Sequence, residues 1–321
     1  MPPLLVLLVC AACHRGVPRV DYGEAHPLPL VTPTTDNKRW YLPMDTPSGP
    51  QLWFVDTGYS RTTCDDDLVQ SLGIKPRGKR RMRGEAGTLR VQRATLPPME
   101  LGGHRIPKLT CMVRDLNTTS SIDDPREIPI AGVLGIDVMR PFRAVLDPEN
   151  GQILLHDPRS LDRLDVADDN VVRIRGERWL ANRVTVSLGV GELNTRLVLD
   201  TGASNTYLDG TRLGLEPSWT EQGVRVRGSG PNGVIVVDRA YFDVPVLSLG
   251  AETFGPLTLT DRPNAWWEHG LLGLDVTTRF TLELDFRSRA MRLTPVEPAS
   301  RPSWLVWERQ EHPLNDRLSP E

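Results

Sequence analysis

Two short stretches carry residues that could do chemistry. Leu52-Trp53-Phe54-Val55 ends at Asp56-Thr57-Gly58, and Leu197-Val198-Leu199 ends at Asp200-Thr201-Gly202. In each, an apolar run of strand character stops at an acid, a small hydroxyl residue and a glycine. A carboxylate closing a buried strand is costly to desolvate, and glycine lets the backbone turn sharply and approach a neighbour closely. A single such acid is well explained as a strand-end turn residue capping its own backbone. Two that meet have a further use. They cannot both ionise near neutrality, so they share one proton and titrate together. The ionised member can take a proton from a water held between them while the protonated member donates to a carbonyl oxygen, which is general acid-base hydrolysis with water as nucleophile.

The elements that must position these acids also come twice. Ala131-Gly132-Val133-Leu134-Gly135-Ile136-Asp137 recurs as His269-Gly270-Leu271-Leu272-Gly273-Leu274-Asp275, and Val145-Leu146-Asp147 recurs around Leu284-Asp285, at a constant offset of 138 positions. The chain therefore reads as an internal duplication. Duplicated lobes pair about a pseudo-two-fold axis, where equivalent residues meet, so Asp56 and Asp200 are expected to face each other. Asp137 and Asp275 are expected to N-cap the short helices that follow them.

Bulk properties narrow the function. The 321 residues fit one large or two small domains. A net charge of -3 and a pI near 6.1 give no electrostatic case for nucleic acid or an anionic membrane, and the basic stretch 75–83 reads as a solvated loop. The 28 prolines and 27 glycines, with little helical periodicity, favour short strands joined by turns. The six histidines are scattered without metal-ligand spacing, so neither metal nor cofactor is expected. Gly228-x-Gly230-x-x-Gly233 matches a dinucleotide glycine pattern, but it does not join a strand to a helix, and Pro231-Asn232 favour a turn. Gly202-Ala203-Ser204-Asn205-Thr206 lacks the closing glycine of a hydrolase nucleophile elbow.

Along the chain, residues 1–13 hold an apolar run too short to span a bilayer, followed by Cys10-Ala11-Ala12-Cys13. This resembles a bacterial lipoprotein signal with Cys13 lipidated after processing. The mature protein would then be exported, face the periplasm and touch the membrane only through that anchor. Residues 14–27 read as a tether, 28–156 and 171–295 as the two lobes, 157–170 as the linker and 296–321 as a strap carrying Trp304 and Trp307. Hairpins are expected near 78–96, with its tip at Gly84-Glu85-Ala86-Gly87, and near 224–237; Asp65 to Gly73 reads as a short helix. Alignment of the halves sets Cys64 against Leu208 and Cys111 against Leu259. The two cysteines are thus expected in contact within the first lobe, either as a disulfide or as two reduced, buried thiols.

With two Asp-Thr-Gly motifs and two apolar-apolar-Gly elements, the chain resembles the aspartic proteases of the pepsin and retropepsin group, most closely bacterial retropepsin-like proteins, as a fused duplicate. The resemblance covers about residues 28–295. It implies an all-β, two-lobed acid-protease fold and an aspartic endopeptidase acting, as a monomer, on extended or unfolded polypeptide. Asp56 and Asp200 would be catalytic, and Thr57 and Thr201 would cross-bond beneath the site. Gly58 and Gly202 would offer backbone to substrate, and Leu134-Gly135 and Leu272-Gly273 would brace the acid loops. Tyr59, Ser60, Ala203 and Ser204 would line the cleft, with the tips at Gly84, Gly87, Gly228 and Gly230 as flaps. Tyr59 is bulky where small residues are usual, and the first hairpin lacks the tyrosine of pepsin-like flaps. A different class is a non-catalytic lipoprotein that binds peptides in the same cleft by strand addition.

Overall fold

The computed structural model describes residues 17–31, 39–46, 49–84, 87–116, 130–177, 183–227, 234–261 and 270–297. Strands dominate them, and the α-helices are short: Asp66–Ser71, Ile136–Met139 and Leu274–Thr277. Three large sheets organise the chain. A seven-stranded sheet runs in the order 41–46, 49–55, 130–134, 63–65, 109–114, 87–96, 77–84. A ten-stranded sheet runs 219–227, 234–244, 257–261, 207–208, 270–272, 193–199, 183–190, 247–249, 252–254, with 175–177 also on 183–190. The third has six strands, 28–29, 152–156, 143–147, 280–285, 290–295 and 171–173, and so draws on both halves. The architecture is all-β, with one acid-bearing sheet in each half and a third sheet that joins them.

Each acid-bearing strand sits at the same place in its sheet. Gly49–Val55 lies antiparallel to Tyr41–Thr46 and parallel to Ile130–Leu134, with Phe54 beside Val133 and Val55 beside Leu134. Leu193–Leu199 lies antiparallel to Arg183–Val190 and parallel to Gly270–Leu272, with Val198 beside Leu271 and Leu199 beside Leu272. Strands buried on both faces read as continuous apolar runs, which is why these segments do not alternate. The parallel pairing continues one residue past each strand: the Asp56 amide donates to Leu134 O at 3.1 Å and the Asp200 amide to Leu272 O at 3.0 Å. Both acids are thereby fixed at the exit of a buried strand.

The six-stranded sheet joins the halves. Arg143–Asp147 runs antiparallel to Phe280–Asp285, and Val145 faces Glu283, 138 positions further on. A local two-fold axis passes between those two residues. The buried Arg143 guanidinium crosses the seam, donating to Glu283 at 2.9 Å, to Asp285 at 3.3 Å and to the carbonyl of Asp162 at 2.7 Å. A buried charge needs such full pairing. The linker is tied to the same cluster: Leu164 is buried, and its amide donates to Asp285 Oδ2 at 3.3 Å.

Several expectations are met and others are corrected. The 66–71 helix is capped by Asp65, whose carboxylate accepts the Asp67 amide at 3.1 Å, and the chain leaves it through Gly73 in the left-handed region at φ 65°. Cys64 and Cys111 are joined as a disulfide with Cα atoms 5.7 Å apart, and Leu208 and Leu259 are buried at the corresponding positions. Residues 17–27 are not a free tether. Val20 and Tyr22 pack on the core, Asp21 pairs with Arg105, and the Tyr22 hydroxyl donates to Pro141 O at 2.7 Å. The apolar members of that stretch have a surface to cover, which its polar average concealed. The hairpin expected near 78–96 is formed by Arg77–Gly84 paired with Gly87–Leu96, so the basic stretch from residue 77 onward is strand and not a solvated loop. The signal segment with Cys13, the tip at Gly228 and Gly230, and Trp304 and Trp307 lie outside the described residues. Among the described residues no helix is long and apolar enough to cross a membrane.

Candidate active site

The two Asp-Thr-Gly turns interlock. Thr57 Oγ1 donates to Leu199 O at 2.8 Å and accepts the Thr201 amide at 3.0 Å. Reciprocally, Thr201 Oγ1 donates to Val55 O at 2.9 Å and accepts the Thr57 amide at 3.1 Å. Both threonines are completely buried. Each hydroxyl thus uses its donor and an acceptor on the opposite turn, and four backbone groups that would otherwise be orphaned at strand ends are satisfied. The glycines explain the closeness. A Cβ on Gly58 would collide with the Asp200 carboxylate, and one on Gly202 would collide with that of Asp56. Each carboxylate therefore rests over the other turn's glycine, and the two acids hydrogen-bond to each other.

The environment of the pair sets its proton. Burial raises both carboxyls above the ordinary carboxylate range, and for Asp56 the charge of Asp200 adds to the effect. Asp200 has more to hold it ionised: the Gly202 amide donates to it at 2.9 Å, the Ala203 amide also donates, and Arg183 lies near. Asp56 accepts the Tyr59 amide at 3.0 Å. The two carboxyls titrate as one coupled unit, and Asp56, raised further than Asp200, is the favoured holder of a shared proton.

A second set of contacts braces the acid loops. The Gly135 amide donates to Thr62 Oγ1 at 3.2 Å, and that hydroxyl donates to Asp137 at 2.9 Å. In the other half the Gly273 amide donates to Thr206 Oγ1 at 3.1 Å, which donates to Asp275 at 2.6 Å. Asp137 and Asp275 also accept the amides of Thr62 and Thr206, both at 2.9 Å. The expected N-capping by these acids is thus corrected. Gly135 and Gly273 occupy the cap positions, and the carboxylates, in the first helical turn, face the acid loop instead. Burial raises each to about 6 against the opposing threonine hydrogen bonds. Gly135 is required because a Cβ would lie 2.8 Å from Tyr59 O.

Arg183, at the start of a second-half strand, donates through Nε to the carbonyl of Gly58 in the first turn. Burial lowers its own pKa, offset by Asp200 and Asp56. Sequence reading missed Arg183, Thr62 and Thr206. A signal existed: Arg39 and Arg183 both stand 17 residues before an acid, and Thr62 and Thr206 both stand six residues after one. Of the expected cleft residues, Tyr59 is half-buried and leans on a cluster of Tyr41, Leu52 and Phe54, and Ala203 is buried with Val198 and Leu271. Ser60 and Ser204 are half-buried and do not donate to either acid. Gly84 and Gly87 face each other at the hairpin end. Asp65, Asp66 and Asp67 gather three carboxylates, but the Asp65 oxygens already accept the amides of Asp67 and Leu116, and the other two acids are exposed.

The family model described as aspartyl protease matches residues 49–138, a span that contains Asp56-Thr57-Gly58 and Leu134-Gly135. No curated protein matches the chain. The crystal structure of a retropepsin-like aspartic protease from Rickettsia conorii is similar at 16% identity, over 38% of this chain and 87% of that one, with a TM-score of 0.28.

Proposed function

We propose that the protein is a retropepsin-like aspartic endopeptidase, built as a fused duplicate, that hydrolyses extended polypeptide with one water activated by Asp56 and Asp200. The observation that carries this reading is the pair of buried carboxylates, each set against the other turn's glycine and bonded to its partner above a reciprocal threonine lock. In the working state Asp200 is ionised and takes a proton from the water, while protonated Asp56 donates to the carbonyl oxygen under attack. The tetrahedral gem-diol then collapses as the amide nitrogen receives the proton that Asp200 took and one hydroxyl of the intermediate returns a proton to Asp56, which breaks the C–N bond and restores the starting protonation state. No covalent enzyme intermediate is required. Because one chain supplies both acids, a monomer suffices. The Cys64–Cys111 disulfide supports an oxidising compartment, in keeping with export and a lipid anchor at Cys13.

Proteolysis of a diverse peptide mixture, read by mass spectrometry, tests the assignment. The wild type should generate new termini, and Asp56→Asn and Asp200→Asn should each abolish them while keeping the wild-type unfolding midpoint within a few degrees. Equal cleavage by Asp200→Asn would sink the proposal. Peptide binding without cleavage in the wild type would favour the non-catalytic binder.

A further inference from the structure

Outside the acid pair, the least balanced feature of the molecule is the hairpin of Arg77–Gly84 and Gly87–Leu96. Between residues 77 and 96 it carries seven cations and one acid, in a chain whose net charge is -3. Arg77, Lys79, Arg80, Arg81, Arg90 and Arg93 are all exposed, and among the described residues none of the six makes an ion pair. The register sets like charges directly opposite each other, Arg81 against Arg90 and Arg77 against Arg93. Such pairs destabilise a hairpin. Cations on an exposed edge strand protect against aggregation, and Arg77–Gly84 is an edge. That explanation does not reach Arg93, which stands on the inner strand and is paired on its other side with Met112. The hairpin at the corresponding place in the second half, Trp219–Arg227 with Val234–Val244, has three acids and three bases and is balanced.

We propose that this hairpin selects acidic polypeptide substrates for the site described above, an inference that rests on the endopeptidase reading. Strand geometry argues for a polypeptide over a flat surface. Side chains alternate between faces, so Arg81 and Arg90 lie on one face while Arg93 and Arg77 lie on the other. An anionic membrane can meet only one face of a hairpin at a time, whereas a flexible acidic chain can follow cations on either face. Arg183, beside the acid pair, adds a cation of the same sign at the floor. A field of one sign lining an approach raises association rates by roughly 10 to 1000-fold and is screened by salt.

The test compares two otherwise identical cleavable peptides carrying either Glu or Gln at positions flanking the scissile bond. At low salt the Glu peptide should have a kcat/KM at least about tenfold higher, falling towards parity near 1 M salt. The Arg80→Gln/Arg81→Gln/Arg90→Gln/Arg93→Gln variant should bring the ratio close to one, and the matching Lys variant should keep it. A ratio near one in the wild type, or one unchanged in the Gln variant, overturns the inference while leaving the endopeptidase intact. If neither peptide is cut, the endopeptidase reading is what fails. Fluorescence anisotropy with the same peptides then decides the inference on its own: tighter binding of the Glu peptide supports it and equal binding overturns it. Stronger retention on phosphatidylglycerol vesicles or single-stranded DNA than on the Glu peptide also overturns it.

Discussion

Arg183 offers the sharpest test of how the pair is tuned, because it acts in two separable ways. Its Nε holds the Gly58 carbonyl, and its charge lies close enough to Asp56 and Asp200 to hold both carboxyls down against burial. The sign follows directly. A guanidinium favours ionised carboxylates, so its loss raises both ionisations of the pair. The first ionisation creates the active monoanion and the second destroys it, so both limbs of the pH-rate profile should move up together. An opposite charge at close range shifts a carboxylate by about 1 to 3 units. Here one charge is shared between two acids and is only partly buried, which sets the effect near the low end, about one unit or ~1.4 kcal/mol. At a pH on the acid limb, Arg183→Gln should therefore lose about tenfold in kcat/KM beyond its loss at the optimum. Arg183→Lys keeps the charge and loses the fork; its limbs should stay near the wild-type positions while kcat/KM falls at all pH values. Arg39 is the natural control. It holds the corresponding place in the first half, but its guanidinium stands over the Phe54 ring at 5.5 Å, so Arg39→Gln should move the limbs less. The assay is kcat/KM from pH 3 to 9 on a single peptide. Limbs that stay fixed in Arg183→Gln would refute the electrostatic argument and leave Arg183 a role in loop placement alone.

Two further outcomes follow from the buried network. Thr201→Val removes the donor to Val55 O and the acceptor of the Thr57 amide, stranding two buried backbone groups. That should cost about 2–5 kcal/mol in urea unfolding, and a loss under 1 kcal/mol would show that the lock is not what joins the turns. Burial raises the Asp137 carboxyl from its ordinary 3.8 to about 6 in the folded protein. Its contribution is fully present below the unfolded value and is lost as pH rises through the folded one. Asp137→Asn should therefore weaken the dependence of stability on pH between 4 and 7 by up to about 3 kcal/mol; a mutant slope equal to the wild type would contradict that burial.

What was legible in the sequence is what local pattern and repetition could encode. Apolar runs ending in Asp-Thr-Gly give the strands and the turns. Repetition of Leu-Gly at similar distances marks the elements that brace the acid loops, and Leu208 with Leu259 gives the place where Cys64 and Cys111 meet. The rest depends on contacts between segments with no local rule. Asp137 was read as a cap because an acid beside a short helix suits the helix N-terminus, but the strand-to-helix turn already has an extended Gly135 in the cap position. The carboxylate then serves Thr62, 75 residues away in sequence. The basic stretch reads as a solvated loop by its charge, yet most of it falls within the hairpin that the turn residues predict at 78–96. It pairs because Gly78, at φ 66°, lets the edge strand bulge between Arg77 and Arg80 while the inner strand stays in register with Leu109–Arg114. Arg183 was invisible for the strongest reason. Its target is a carbonyl, which any residue carries, on the other half of the molecule. Only the repeat of an arginine at the same distance before each acid hinted that the position mattered. The two arginines stand at equal distances before the two acids, yet one reaches the opposite turn's backbone and the other an aromatic ring. The acid pair is thus symmetric in its carboxylates and asymmetric in its charge, which biases which of two equivalent aspartates holds the proton.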